Sequence, residues 1–255
     1  MLNFIRADLY KTFHRKYTYW FLGLTSLGVL LITFFSLFAQ MKGMLNGVNG
    51  FEFAYMGAML MIISLGVPVY LLLIVVDVVH SEEYKHQTMK NTVSYGIPRS
   101  TIYFGRLISS LLVGLLTLAV LVAVLVVSTF LTFRTFDAAS FKLVGDYVQL
   151  LLMALPLYVG CLGVGVCLAF VLKSGTAFAF AYLGVLNALP PVFEQLDHLS
   201  PIFGKIYNWM LTPQFASLGN DPTWSQIGKY CIIGFATLAI STVIGFALFR
   251  RKEIK

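Results

Sequence analysis

The chain has 255 residues, of which 58% are hydrophobic and 11% charged, and a formal net charge of +7. An ordinary soluble domain is about a quarter charged, and a soluble chain of this length could not enclose so much apolar surface. The cations sit in short clusters between apolar runs rather than on one basic face, which argues against a nucleic-acid partner and matches charges placed beside a bilayer.

Along the leader, Leu2, Ile5, Leu9 and Phe13 recur at spacings of three and four and share one helical face, with Asp8, Lys11 and Arg15 opposite. The pattern predicts an interfacial helix over residues 1–16, lying on the inner leaflet with its cations near anionic lipid. The leader is long and basic, the apolar run behind it is span-length, and no small-residue cleavage site follows. The sequence therefore predicts a retained leader rather than a cleaved signal.

About 20 mostly apolar residues cross the roughly 30 Å hydrocarbon core of a bilayer. Six runs meet or approach that length, at residues 17–38, 54–79, 105–133, 147–172, 176–192 and 230–249. The third is the longest and is expected to tilt or project. The fourth holds Pro156 with Gly160, Gly163 and Gly165, which makes it a candidate for kinking. The fifth is the shortest and is expected to stop at Pro190-Pro191. Small residues at helical spacing, Gly175/Ala179, Ala177/Ala181, Gly184/Ala188 and Ser241/Gly245, permit close helix contact, for which packing inside one chain is the simpler reading.

Thirteen Lys and Arg fall on the side of the two termini, counting the leader, the second-to-third connection with Arg106, Lys173 and the C-terminal cluster; five fall on the other side. The positive-inside bias places both termini in the cytoplasm. Lys173-Ser174-Gly175 then forms a tight inner turn, and residues 190–229 form a long external loop. That loop carries Pro201-Ile202-Phe203 and Ile206-Tyr207-Asn208-Trp209-Met210-Leu211, which predicts short interfacial helices with Trp209 and Trp224 at headgroup depth. The fold class expected is an all-α integral membrane protein, one domain over residues 1–255, with six transmembrane helices.

Enzymatic signals are missing from the sequence. Cys161, Cys167 and Cys231 lie inside apolar runs without CxxC or Cys/His ligand spacing, and read as buried small hydrophobes. His80 and His86 are six apart, whereas a zinc-protease helix needs two histidines four apart, so no metal ligand is assigned. No G-x-x-x-x-G-K-[ST] phosphate loop is present, the nearest fragment being Gly228-Lys229-Tyr230. No catalytic residue and no cofactor are assigned to this chain. Asp77 is the one acid well inside an apolar run; it can pair with Arg106 or Lys173 or face water at a cavity mouth, and it reads as structural or coupling rather than as a proton relay.

Between the second and third spans, Ser81-Glu82-Glu83-Tyr84-Lys85-His86-Gln87-Thr88-Met89-Lys90-Asn91 is helix-compatible and polar nearly all round. Glu83, Gln87 and Lys90 share one face, and Glu82, His86 and Met89 another. Gly96 and Pro98 end the element, and Ser100 stands where the next helix is capped. A short polar helix at the membrane surface has no core of its own, so it most naturally packs against another protein.

With Glu82, Glu83, Thr88 and then Tyr95-Gly96-Ile97-Pro98-Arg99-Ser100-Thr101-Ile102-Tyr103, this connection resembles that of the ABC-2 type permease subunits of ATP-binding cassette transporters. It departs at Gln87, where the family often has Gly, and in carrying Ile97-Pro98-Arg99 in place of Pro-Ile-Ser-Arg. The leader, the span number and the long last external loop are also similar. Size and layout look most like the small permeases of bacterial peptide-export and lantibiotic-immunity systems. The resemblance implies a coupling segment over residues 81–100, with Glu82, Glu83, His86, Gln87, Lys90 and Asn91 docking on a separate ATPase subunit that holds ATP and magnesium. It also implies a second permease chain, a bacterial plasma-membrane location and a hydrophobic or amphipathic peptide cargo. The alternatives are ABC export of drugs, lipids or ions, and an ion-coupled secondary transporter.

Overall fold

A helix satisfies its backbone groups internally, which hydrocarbon requires, and the described residues are helical almost throughout, with no strand among them. The computed structural model describes residues 1–45, 47–64, 66–86, 89–172, 174–220 and 224–251, with the side chains of 66–68, 81–86, 89–91 and 220 outside that description. In chain order the first elements are α1 (Leu2–Phe13), α2 (Lys16–Met41), α3 (Gly50–Ile63), α4 (Gly66–His86), α5 (Met89–Ser94) and α6 (Arg99–Phe133). After them come α7 (Ala138–Val171), α8 (Gly175–Leu183), a π-helical turn (Gly184–Ala188) and α9 (Leu189–Leu196). The chain closes with α10 (Pro201–Trp209), α11 (Leu211–Asn220), a 3-10 turn (Trp224–Gln226) and α12 (Ile227–Arg251). Five stretches are long and apolar enough to cross a bilayer: α2, α6, α7, Gly175–Leu196 and Trp224–Arg251. The protein is membrane-embedded.

The expected second span, residues 54–79, is two shorter apolar helices instead of one. α3 ends at Ser64, whose backbone is extended at φ −65° and ψ 123°, and α4 restarts at Gly66. Pro68 explains the break: it has no amide for the Ser64 carbonyl, and its ring would clash with that carbonyl in a continuous helix. α6, by contrast, is longer than its apolar run. Its 35 residues span roughly 52 Å at about 1.5 Å per residue, so it projects well beyond the hydrocarbon.

The stop expected at Pro190-Pro191 does not occur, because the helix continues to Leu196 through the π turn. The Leu189 amide reaches back to the Gly184 carbonyl, and both prolines fall in the first turn of α9, where their missing amides are tolerated. Pro190 leaves the Leu186 carbonyl without its usual donor, and the buried Thr212 hydroxyl of α11 donates to it at 3.0 Å. The short helices expected after it are α10 and α11, which differ in burial. α10 exposes Ile202, Ile206 and Trp209, whereas α11 folds inward with Leu211, Phe215 and Leu218 buried. Tyr207 on α10 meets Glu194 on α9; burial, then the Glu194 charge and hydrogen bond, raise the Tyr207 hydroxyl above its ordinary pKa.

α7 is the axis of the bundle, with Met153, Ala154, Leu157 and Val166 fully enclosed. Its glycines serve contact with neighbouring helices. A Cβ added at Gly163 would stand 3.1 Å from the Leu238 Cα, and one at Gly165 would stand 3.0 Å from Val76. From the other side, a Cβ on Gly234 of α12 would strike the Pro156 carbonyl and the Leu157 amide. Gly245 likewise comes within 3.0 Å of the Cys167 Cα by the same measure, and Ser241 meets Gly163, so the Ser241/Gly245 pair packs inside the chain. Cys161 and Cys167 are buried and Cys231 half-buried, all as free thiols.

Between α2, α3, α4, α6 and α7 lies an apolar cavity of about 250 Å³.

The α7–α12 seam yields a stability prediction. Gly234→Ala forces backbone apart and is expected to cost about 1–3 kcal/mol. Gly23→Ala, on an open face of α2 with no atom within 4 Å of the added Cβ, is expected to be neutral or stabilising. Thermal unfolding midpoints of the two variants in one detergent check the contrast.

Candidate functional site

Charged and polar side chains gather at the end of the bundle where α1, the last turns of α4, the first turns of α6 and the end of α12 meet. The leader is helical as expected, but Asp8 does not lie on a solvated face. The Phe4 ring occupies the space that a Cβ on Gly105 would need, which lets α1 approach the α6 backbone closely. One turn on, Asp8 faces Arg106, with 4.0 Å between carboxylate and guanidinium and side-chain exposures of 6% and 5%. The stripe that enters the protein is therefore Phe4–Asp8–Thr12. Leu2 stays 82% exposed, and Leu9 and Phe13 pack only partly against the core.

Hydroxyl and guanidinium bonds fasten the joint between α1 and α2. Thr12 donates to the Asp8 carbonyl at 2.9 Å, and Thr18 donates across the joint to the Thr12 carbonyl at 2.6 Å. Arg15 then reaches α4, its Nη1 donating to the Val78 carbonyl at 2.8 Å. Asp77, half-buried on the same turn, accepts a hydrogen bond from the Tyr17 hydroxyl of α2. Tyr17 is thus a partner of Asp77 that the sequence did not point to. Arg106 faces Asp8, and Lys173 lies outside the described residues.

His80, on the next turn of α4, is buried. Its Nδ1 lies 3.0 Å from the Val76 carbonyl, a contact that assigns the ring proton to Nδ1. The ring stands edge-on to Phe170 of α7 at 5.3 Å, and Arg106 lies within electrostatic range of it. Tyr103, fully buried on α6, stacks with Phe170 at 4.8 Å, and Phe170 meets Phe249 at the same separation. Arg99, the first residue of α6, donates to the Phe249 carbonyl at 3.3 Å and to the Arg250 carbonyl. A guanidinium on the last carbonyls of α12 also favours that helix dipole. Among the described residues, no three of His, Cys, Asp and Glu come together as metal ligands.

The polar connection itself is not a separate helix from about residue 82 to 92. α4 runs on through Ser81 to His86, and α5 (Met89–Ser94) follows. Continuity arises because Ser81–His86 contains no breaker and follows an established helix, so it propagates rather than nucleates. Gly96 ends the element at φ +79°, with its amide bonded to the Val93 carbonyl at 3.0 Å, and the extended Pro98 starts α6. Tyr95, 86% exposed, stands at this turn. The side chains of Glu82, Glu83, His86, Lys90 and Asn91 lie outside the description, as does Gln87 altogether.

Of the residues in this cluster the sequence singled out Asp77 and Arg106 and did not point to Asp8, Tyr17, His80 or Arg99. Only Asp8 had a local signal, the i, i+4, i+8 stripe with Phe4 and Thr12. No protein-family model and no curated protein matches the chain.

The buried pair yields a prediction. Asp8→Ala removes a carboxylate partner of the enclosed guanidinium and is expected to destabilise by about 3 kcal/mol, the lower end for breaking a buried pair. Asp8→Ala with Arg106→Leu is expected to cost less than the two changes summed, by about 1 kcal/mol or more. Unfolding midpoints of the four-member cycle measure the coupling.

Proposed function

We propose that the chain is the transmembrane subunit of an ATP-driven exporter of the ABC-2 type. In this reading it pairs with a second permease chain and docks a separate ATP-binding cassette ATPase, which carries ATP and magnesium. Both termini lie in the cytoplasm of a bacterial cell, and hydrophobic or amphipathic peptides move outward across the plasma membrane. One observation carries the reading: α4 leaves its apolar stretch without ending, and residues 81–86 extend it as a polar helix that α5 and the Gly96 turn return to α6. A polar helical segment continuous with a bundle helix is what a motor needs to grip.

The cluster at its base supports the same reading. Arg15 and Tyr17 hold α4 at Val78 and Asp77, while Asp8 and Arg99 tie α6 to α1 and α12. A push on this segment is then delivered to several helices as a rigid-body movement rather than absorbed at one flexible joint. Glu82, Glu83, His86, Gln87, Lys90 and Asn91 are the proposed contacts to the ATPase.

The α3/α4 interruption favours a second reading, an ion-coupled carrier, because broken helices at membrane depth often hold coupling ions. Proteoliposomes separate the two. With the ATPase subunit present, uptake of a fluorescent amphipathic peptide is expected to require ATP, and Glu83→Lys is expected to abolish both ATPase co-purification and uptake. Uptake by the chain alone under an ion gradient, or ATPase binding that survives replacement of residues 82–92, would overturn the exporter reading.

A further inference from the structure

We infer that the cavity between α2, α3, α4, α6 and α7 seats one acyl chain of a bilayer glycerophospholipid, which reaches it through the groove between α6 and α7. The cavity lies among the apolar helices and its walls are almost wholly hydrocarbon. At about 250 Å³ it falls below the roughly 300–1,000 Å³ of pockets that enclose a drug-sized molecule, so a whole peptide is too large for it. An apolar space of this kind does not hold water stably, yet spaces smaller than this one bind apolar guests.

Access is from the side. Leu118, Val122 and Leu151 wall the cavity and also line the external groove between α6 and α7, where Ala119 and Ala123 keep the surface low. These groove residues belong to helices that cross the bilayer, so acyl chains are what the groove meets. The ester group of such a lipid also suits the remaining polar features. Tyr147 and Tyr158, with exposures of 7% and 6%, line the cavity, and so does Thr25, whose hydroxyl donates to the Phe21 carbonyl. Two phenolic donors beside an apolar space match an acyl chain that carries a carbonyl acceptor. A chain seated there also packs against Ala58 and Ile62 of α3 and Leu71 and Leu72 of α4, on both sides of the interruption. Lipid seating does not depend on ATP-coupled transport.

The test uses the full chain in vesicles of phosphatidylglycerol bearing a mid-chain diazirine, irradiated without cargo or ATPase and mapped by mass spectrometry. Adducts are expected on the enclosed Ala58, Ile62 and Tyr158 as well as on the exposed Ile240 and Val243 of α12. Gly28 lines the cavity, and a Cβ added there meets no atom within 4 Å. Gly28→Phe, or the smaller Gly28→Leu, adds a side chain at the cavity wall and is expected to eliminate the enclosed adducts while leaving those on α12. Labelling of α12 without labelling of Ala58, Ile62 and Tyr158 in the unaltered chain overturns the inference. Enclosed adducts that persist in both filled variants overturn it as well.

Discussion

The ion pair between Asp8 and Arg106 sets the terms for one whole end of this molecule. Each group is almost fully enclosed, and a charge removed from water is costly unless an opposite charge and hydrogen bonds replace the solvent. That cost is offset only if α1 sits against α6, so the leader of the chain is a structural element. Around the pair, Thr12, Thr18 and Arg15 bind the start of α2 and the turn of α4 at Val78. At this end of the bundle the turns of four helices are thereby fixed relative to one another by polar contacts, while the rest of the bundle is held by close packing.

Hydrocarbon allows few unpaired backbone groups, and two irregular points among the described residues trace to proline. Pro68 breaks the second apolar run between α3 and α4, whereas Pro190-Pro191 is absorbed by a π turn whose spare carbonyl is met by Thr212. The difference lies in the neighbourhood: α11 folds inward beside the π turn and supplies a hydroxyl. At the other extreme, α7 and α12 approach so closely that Gly234 has no room for a methyl group. The cavity lies beside the α3–α4 interruption.

The fold class was legible because its signal is local: span-length apolar runs, an amphipathic leader and a Gly96-Pro98 stop each occupy contiguous residues. The break at Pro68 was legible in principle, since the Ser64 carbonyl it orphans is four residues back, but an unbroken apolar run hides it. The partners of Asp8 and Asp77 were not legible. Arg106 is nearly a hundred residues from Asp8 and lies at the start of an apolar helix, where a basic residue ordinarily marks the membrane surface. Tyr17 carried no signal of its own in the sequence, and only the crossing of α2 and α4 shows it bonded to Asp77. His80 was read against a metal motif it does not form, and its burial against Phe170 depends on α7. The helical continuity of residues 81–86 with α4 depends on propagation from the apolar stretch before them, which composition alone does not reveal.

If the leader is part of the machine, its backbone must be protected as the bundle is. Amide hydrogen exchange read by mass spectrometry on the full chain in a bilayer mimic measures this directly. The amides of α1 are expected to exchange as slowly as those in the first turns of α6, and Arg106→Leu is expected to release α1 while leaving α7 and α12 protected. Exchange of α1 at the rate of a solvated tail in the unaltered chain would contradict the account.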